Sequence, residues 1–428
     1  MGKEIMRGIT LFKIFLLMLL LTDNTIAEEV YDLFSKPGNG NAVSEKSEIQ
    51  ASEQGKKGII NIGRFNENVK KITHDSRVVF DLKDKKILFK VDRVVRKGVE
   101  RFSFSASSAD RGNIQISENN GRVVGSLNYA GKLFKIRSDE NGDTVLIEVP
   151  KEDLIDHDEA YHEDYNYLPL IDQSLLDFGS VAEAGDSGSE FTVIVAYTSS
   201  FANSAGDITA YMDLLELETN MSYENSEVQT RVKIVHAYQT GYSDSGNFAT
   251  DLNSFSNTSN AHTQQLYDLR NQYNADIMML LTGNNYSGCG QARSIGATEQ
   301  NALAAAKESC ATGNYSFGHE IGHLFGARHI ISQDPSMTPF PYGHGYCNVT
   351  AGTWRTVMAY NCPQGTGGSR IQYWSNPDVY IQGQATGTRD IEFNAKVMNV
   401  RAVEVANFRV SPTPNLAWLI PVLHIILF

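Results

Sequence analysis

The sequence predicts two folding units of different class, a small antiparallel β region followed by a larger α/β region. Lysine usage changes sharply between them, since 16 of the 19 lysines lie at or before Lys151. Short strands joined by turns dominate residues 59–150, whereas strands alternate with helices in residues 190–410. At 428 residues the chain is long enough to divide into two or three domains.

The β region is predicted from runs of β-branched and aromatic residues that are separated by turn signals. Asn119-Asn120-Gly121 and the segment 140–143 have the composition of hairpin turns. The segment 140–143 also resembles part of a calcium loop, but it lacks the full ligand spacing, so we expect a turn there. The predicted strands are 78–82, 87–91, 101–105, 113–117, 121–129 and 144–149.

The α/β region is predicted from hydrophobic repeats that change from strand period to helix period. Asp207 stands where a helix cap is expected, before apolar residues at helical spacing. The βαβαβ order implies a parallel sheet with helices across it. The predicted strands are 191–197, 228–238 and 276–281, and the predicted helices begin at Asp207, span 263–273, and close the domain at 390–408.

The two ends and the linker predict processing and export. Residues 1–27 have the basic start, apolar run and small-residue cleavage site of a signal peptide, with an anchoring or buried segment as the alternative. Residues 28–58 are predicted as a flexible arm, and residues 151–189 as an acidic linker. Residues 411–428 form a linker and hydrophobic tail, which either associates with the cell envelope or packs on the domain. We therefore expect a secreted, extracellular protein, with envelope association left open.

The net charge and the cysteine content further restrict the class of protein. The net charge of -13, without a cluster of Lys and Arg, argues against a nucleic-acid partner. Four cysteines in an exported chain suggest two disulfides, for which three pairings exist. We expect Cys289–Cys310 and Cys347–Cys362, because these pairings close local loops.

The segment 319–329 has the pattern of a metal site. His319 and His323 are four residues apart, so a helix presents both imidazoles on one face. Glu320 projects about 100° away from His319, where it can address a water rather than the metal. Gly326 can end the helix in a left-handed conformation, and the following turn would bring His329 to the same point. Three imidazoles that leave one position open predict a single catalytic Zn²⁺, with Glu320 as general base.

A second element follows at Met358, 29 positions after His329 in the apolar segment 354–362. Together the two elements resemble the metzincin clan of zinc metalloproteases, in which a Met-turn underlies the zinc site. Within the clan the chain most resembles bacterial reprolysin-like enzymes and the peptidyl-Asp metalloendopeptidase family. The segments that carry this narrower resemblance are 195–198, 235–239, 310–317, 341–346 and 373–377.

The resemblance implies a fold, an activity and a processing event. It implies a metzincin-type catalytic domain of α/β (α+β) class at residues 190–410, with a mixed sheet and a zinc helix. The β region at 59–150 would be a prodomain within a removable propeptide, and the linker 151–189 would hold the activation site of this zymogen. The implied activity is zinc-dependent hydrolysis of peptide bonds in proteins or peptides by a monomer. The alternative is a catalytically silent, secreted zinc-binding adhesion or matrix protein.

The resemblance also implies roles for residues near Met358. Tyr360 stands where several metzincins place a tyrosine that either ligates zinc or donates to the developing oxyanion, and a packed aromatic is the alternative. A preference for cleavage before Asp or Glu would need a cation beside the zinc. Arg370 is the first candidate for that cation, followed by Arg355 and Arg293, with a surface or structural ion pair as the alternative for each. The substrate would lie along an edge strand near residues 290–297.

Overall fold

A computed structural model describes residues 29–35, 59–82, 85–154, 188–348, 354–360, 362 and 368–409. The predicted signal peptide, most of the predicted arm and linker, and the hydrophobic tail lie outside these residues. Within the described ranges, no helix is both long enough and apolar enough to cross a membrane.

Ten strands form one sheet in the N-terminal region, as its turn-rich sequence predicts. They are β1 (Val30–Asp32), β2 (Phe34–Ser35), β3 (Ile59–Phe65), β4 (Arg77–Leu82), β5 (Lys85–Lys97), β6 (Arg101–Ser107), β7 (Asn113–Asn119), β8 (Arg122–Tyr129), β9 (Lys132–Ser138) and β10 (Asp143–Val149), with 3₁₀ turns at Glu67–Lys71 and Lys151–Leu154. Their order is β1-β4-β5-β6-β7-β8-β9-β10-β3-β2. Every neighbouring pair is antiparallel except β1 with β4.

The two faces of this sheet differ in chemistry. In β7, Ile114 and Ile116 pack into the hydrophobic core of the sheet. Gln115 and Ser117 alternate with them and therefore face the other way, yet both are fully buried. The sheet is consequently covered on both faces, by its own apolar core on one and by the second region on the other.

The prediction of a flexible arm at residues 28–58 is wrong for the first of these residues. Residues 30–35 form β1 and β2 and join the sheet at both of its edges. Leu33 is fully buried between them, and Phe34 packs edge-on against Phe65 and Phe80. The polar composition that suggests an arm begins only after these apolar residues.

Strand β9 is absent from the predicted strands because charges interrupt its apolar pattern. Lys135 and Arg137 occupy alternate positions in it, and both side chains are buried, at 2% and 6% exposure. A buried cation needs partners from outside the strand. Arg137 pairs with Glu308, and Lys135 donates to Thr312, so both cations have partners in the second region of the chain.

The second region is a mixed α/β fold, which confirms the predicted class. Its strands are β11 (Glu190–Tyr197), β12 (Arg231–Gln239), β13 (Ile277–Thr282), β14 (Gly290–Ala292), β15 (Leu303–Lys307) and the short pairs β16 (Trp354–Arg355) with β17 (Ser369–Arg370) and β18 (Tyr380–Ile381) with β19 (Gln384–Ala385). The main sheet has the order β12-β11-β13-β15-β14. The first four strands are parallel, and the edge strand β14 is antiparallel to β15.

Seven helices accompany this sheet among the described residues. They are α1 (Ser199–Ala205), α2 (Ile208–Asn225), α3 (Phe248–Ser256), α4 (Ala261–Tyr273), α5 (Glu308–Ala311), α6 (Ser316–Phe325) and α7 (Asn394–Val405). Asp207 caps α2 as predicted, since its side chain accepts a hydrogen bond from the backbone N–H of Ala210 at 2.9 Å. Helix α2 contacts β12 on one side and β6, β7 and β8 on the other, so it lies between the two sheets.

Both predicted disulfides are present. Cys289–Cys310 ties the residue before β14 to α5, and Cys347–Cys362 ties together the two flanks of the segment that carries Met358. Each bond closes a short loop, since the paired cysteines are 21 and 15 residues apart in sequence, respectively. A disulfide that closes a loop of this size stabilises the folded chain by roughly 3 kcal/mol.

Candidate metal centre

Helix α6 presents the first two histidines on one face, as their spacing predicts. All ten of its residues are buried, and its polar side chains include His319, Glu320 and His323. The helix ends at Gly326, whose φ of 108° places it in the left-handed region. The N–H of Gly326 bonds to the carbonyls of Gly322 and His323, which closes the last turn.

The turn after Gly326 returns the chain to the helix and brings His329 beside the other two rings. Nε2 of His329 lies 3.1 Å from Nε2 of His319 and 2.9 Å from Nε2 of His323. The ligand atoms of the three histidines all lie within 4.8 Å of one another, and the three side chains are buried. Three imidazole nitrogens therefore converge on one point.

The hydrogen bonds of the rings indicate which nitrogens face that point. Nδ1 of His319 donates to the carbonyl of Val357 at 2.9 Å, and Nδ1 of His323 donates to the carbonyl of Ala327 at 2.8 Å. A neutral imidazole has one N–H, so both Nε2 atoms carry a lone pair directed at the centre. Converging lone pairs repel one another unless a cation lies between them. The donor set therefore fits a Zn²⁺ ion, which prefers imidazole nitrogen.

The electrostatics of the site keep the first two rings neutral. Burial, followed by the nearby charge of Arg370, lowers the pKa of His319 to about 3. Burial and the neighbouring His319 hold the pKa of His323 well below its ordinary value of 6.5. Both rings are thus in the metal-binding form at neutral pH.

Glu320 lies between the metal centre and the edge of the main sheet. Its side chain is 3% exposed and rests against the backbone of β14. A Cβ placed on Gly290 would stand 2.6 Å from Oε1 of Glu320, so only glycine allows the strand this close. The edge strand that the sequence predicts for substrate binding therefore begins directly beside Glu320.

Met358 packs against helix α6. It is fully buried, and a Cβ placed on Gly322 would stand 2.9 Å from its sulfur and 2.5 Å from the indole ring of Trp374. Gly322 is therefore required for close packing of the helix onto this residue. The preceding residue, Val357, supplies the carbonyl that orients His319.

Tyr360 is also brought to the centre. Its ring centroid lies 3.7 Å from that of His329, at an interplanar angle of 31°, and 6.2 Å from that of His319. The side chain is half-buried. It therefore stands at the accessible side of the three imidazoles.

Of the three candidate cations, Arg370 and Arg355 lie close enough to the centre for their charges to act on His319. Arg355 and Arg370 are paired residues of the parallel strands β16 and β17. Both donate to the carbonyl of Ala359, and Arg370 also donates to the carbonyl of Asn314 at 3.0 Å. Arg355 is 5% exposed, whereas Arg370 is half-buried, so Arg370 is the more accessible. Arg293 is exposed and bonds to Asn253.

Several residues that shape the site have no signal in the sequence pattern. His344 is fully buried, and its Nδ1 donates to the backbone carbonyl of His329 at 2.8 Å, so it positions His329 and is not itself one of the three converging histidines. Arg328 reaches Asp334 through two hydrogen bonds of 2.6 and 2.8 Å and anchors the same loop. The position of His344 between two glycines does not distinguish a metal ligand from a supporting residue.

Comparison with known proteins agrees with this geometry. A family model described as metallo-peptidase family M12 matches residues 187–375, a range that contains every residue of the centre. A peptidyl-Asp metalloendopeptidase of Stenotrophomonas maltophilia R551-3 is 39% identical over 307 residues, covering 70% of this chain and 72% of that protein. Another from strain K279a is 38% identical over 323 residues, covering 73% and 75%. A peptidyl-Asp metalloendopeptidase of Xanthomonas campestris pv. campestris is 37% identical over 290 residues, covering 67% of each chain.

Proposed function

The chain belongs to the peptidyl-Asp metalloendopeptidases of metallo-peptidase family M12, and on that premise we propose that it is a secreted zinc endopeptidase that cuts before acidic residues. The observation that supports the proposal is the convergence of three imidazoles, with Glu320 beside them and the edge strand β14 next to Glu320. His319, His323 and His329 would hold the metal. The metzincin arrangement, with residues 28–189 as a removable propeptide, is part of the same proposal.

Glu320 is the general base of the proposed reaction. A zinc ion held by the three histidines would lower the pKa of a water to about 7 and would polarise the scissile carbonyl. Glu320 takes the proton of the attacking water and passes it to the leaving amine. Its burial against Gly290 keeps the carboxylate between the metal centre and a substrate lying along β14. Substrate in an extended form would add to this edge as a further strand.

Tyr360 stabilises the oxyanion in this proposal, or ligates the metal. Replacing it with phenylalanine should lower kcat by about 100-fold if its hydroxyl donates to the oxyanion, and should leave zinc affinity unchanged. Steady-state kinetics and zinc competition with a chelator measure the two quantities. Tyr380→Phe, at an exposed position, is the matched control. An equal loss of zinc affinity would assign the hydroxyl to the metal, and no change in either quantity would make Tyr360 a packed aromatic.

Arg370 is the proposed determinant of cleavage before aspartate. Its charge lies close enough to lower the pKa of His319, so a substrate carboxylate near the scissile bond would meet it. Cut sites of the processed enzyme in a peptide library should cluster before Asp and Glu. Arg370→Ala should reduce kcat/KM for Asp peptides by about 10- to 100-fold relative to Ala peptides.

The control for this experiment is Arg389→Ala, which removes an exposed arginine paired with Asp378. Unchanged selectivity in Arg370→Ala would refute the assignment of the pocket but leave the peptidase intact. If the processed wild-type protein cuts no peptide in the presence of zinc, the proposed function itself is wrong.

A further inference from the structure

The edge strand β14 offers the backbone groups of two residues to a further strand. The N–H of Arg293, directly after β14, donates to the carbonyl of Leu303 at 2.8 Å, in register with the pairing of β14 and β15. Every second residue of an antiparallel strand bonds to a given neighbour, so Gln291 also faces β15. The N–H and C=O groups of Gly290 and Ala292 therefore point to the other side, where the described residues form no further strand.

The side chains along β14 alternate between the two faces of the main sheet. Ala292 packs in the core that contains apolar residues of helix α6, and Gly290 lies against Glu320 of the same helix. Arg293 is the next residue along the strand and therefore faces the opposite side. Its guanidinium donates to Asn253 of helix α3, whose apolar residues pack in the core on that side. Arg293 thus lies at the end of β14, on the face away from the zinc helix.

Arg293 is an exposed cation with a neutral partner. Asn253 accepts its hydrogen bond through an amide oxygen, and no carboxylate in the described part of the chain forms an ion pair with it. An amide oxygen holds a guanidinium in place without cancelling its charge. The side chain is therefore available to attract a carboxylate that approaches along the strand.

The position of Glu320 determines which substrate residue lies opposite each residue of β14. In the proposed reaction Glu320 passes its proton to the leaving amine, and it lies against Gly290, so the residue after the cut lies opposite Gly290. Antiparallel pairing is slightly more stable per residue than parallel pairing, and β14 already pairs in this way with β15. A substrate antiparallel to β14 places its first, second and third residues before the cut opposite Gln291, Ala292 and Arg293.

Residues directly opposite each other in an antiparallel pair have their side chains on the same face of the sheet. The third residue before the cut would therefore point to the face of Arg293, with the two Cβ atoms about 4.5–5.5 Å apart. The residue after the cut would face helix α6 instead, where the charge of Arg370 acts on His319. The two arginines would thus contact side chains on opposite faces of one extended peptide.

We propose that Arg293 selects an acidic side chain at the third residue before the cut. The inference rests on the proposed function and extends its substrate class to extended segments with one acidic residue on each side of the scissile bond. Opposite charges that lie directly across an antiparallel pair are stabilising, and like charges are destabilising. Because Arg293 is exposed, the effect on kcat/KM is small, about 2- to 5-fold, and it decreases as salt is added.

The experiment measures charge preference at each position of a peptide series. The zinc-loaded protein, produced as the full chain, is given peptides that share one Asp after the cut and carry Glu, Gln or Lys at a single position on either side of it. The wild type should favour Glu over Gln at the third position before the cut by about 2- to 5-fold in kcat/KM. Arg293→Glu should favour Lys over Gln there by a similar factor, and both proteins should keep the same preference for Asp after the cut.

Arg389→Glu is the matched control, because it reverses the charge of an exposed arginine that pairs with Asp378 outside β14. It should leave every charge preference as in the wild type. If Arg293→Glu reverses the preference at a residue after the cut, at another residue before it, or at none, the proposal is overturned. A wild-type protein that cuts none of the peptides would refute the proposed function itself, whereas cleavage with unaltered preferences in Arg293→Glu would refute only the role of Arg293.

Discussion

Replacing Glu320 with glutamine should lower kcat by about 10²- to 10⁴-fold while zinc still binds at one ion per chain. Glutamine has nearly the same volume as glutamate, so the close contact with Gly290 is kept and only the proton acceptor is lost. The imidazoles of His319 and His323 do not depend on this carboxylate for orientation, because the carbonyls of Val357 and Ala327 orient them. The measurement is peptide hydrolysis by the processed enzyme together with metal analysis.

Glu227→Gln provides the control, since Glu227 is an exposed glutamate. It should retain full activity and the same zinc content. A Glu320→Gln protein that turns over peptides at the wild-type rate would exclude Glu320 as the base. A protein that loses zinc as well as activity would instead assign the carboxylate to the support of the metal.

Replacing His329 with alanine should reduce zinc affinity by more than about 100-fold. Loss of a supporting residue around a metal ligand already costs about 10- to 100-fold, and His329 is itself a proposed ligand. Its ring also contacts both other imidazoles, since Nε2 of His329 lies within 3.1 Å of Nε2 of His319 and of His323. Competition with a chelator measures the affinity, and peptide hydrolysis should fall with it.

His236→Ala is the matched control for this loss, because His236 stacks on Tyr273 at 4.2 Å and is not part of the ligand set. It should bind zinc as the wild type does. Wild-type zinc affinity in His329→Ala would show that the third nitrogen comes from elsewhere and would remove the three-imidazole site.

Local features of this protein follow from the sequence because short-range geometry decides them. The i, i+4 spacing of His319 and His323 needs only a helical turn, and Asp207 caps its helix through a residue three positions away. Both disulfides close short loops, and the turn at 139–143 forms through hydrogen bonds from residues 141 and 143 to the carboxylate of Asp139. Each of these interactions joins residues that are already neighbours in the chain.

Interactions between distant segments cannot be predicted from short-range geometry. Helical spacing alone does not decide which side of α7 is buried: Val403 is 45% exposed, whereas Met398 and Val405 are buried. Which residues of α7 face the core depends on where the helix lies against the sheet. The strand β9 is a stronger case, since its two charged residues are unfavourable in a buried strand until Glu308 and Thr312 meet them.

The sequence by itself determined the two disulfides and the succession of a β region and an α/β region, and it singled out the three histidines and Glu320 that we propose as metal ligands and base. Only the tertiary structure decided how those groups are supported. The carbonyl of Val357, the glycine contact at Gly290, and the bond from His344 to the His329 carbonyl come from segments far apart in the chain. Backbone carbonyls carry no residue-type signal, and a buried charge is tolerated only where folding places its partner. The physical reason is that the proposed ligands are specified by residue type, which the sequence shows. Their supporting contacts are specified by position in the folded structure.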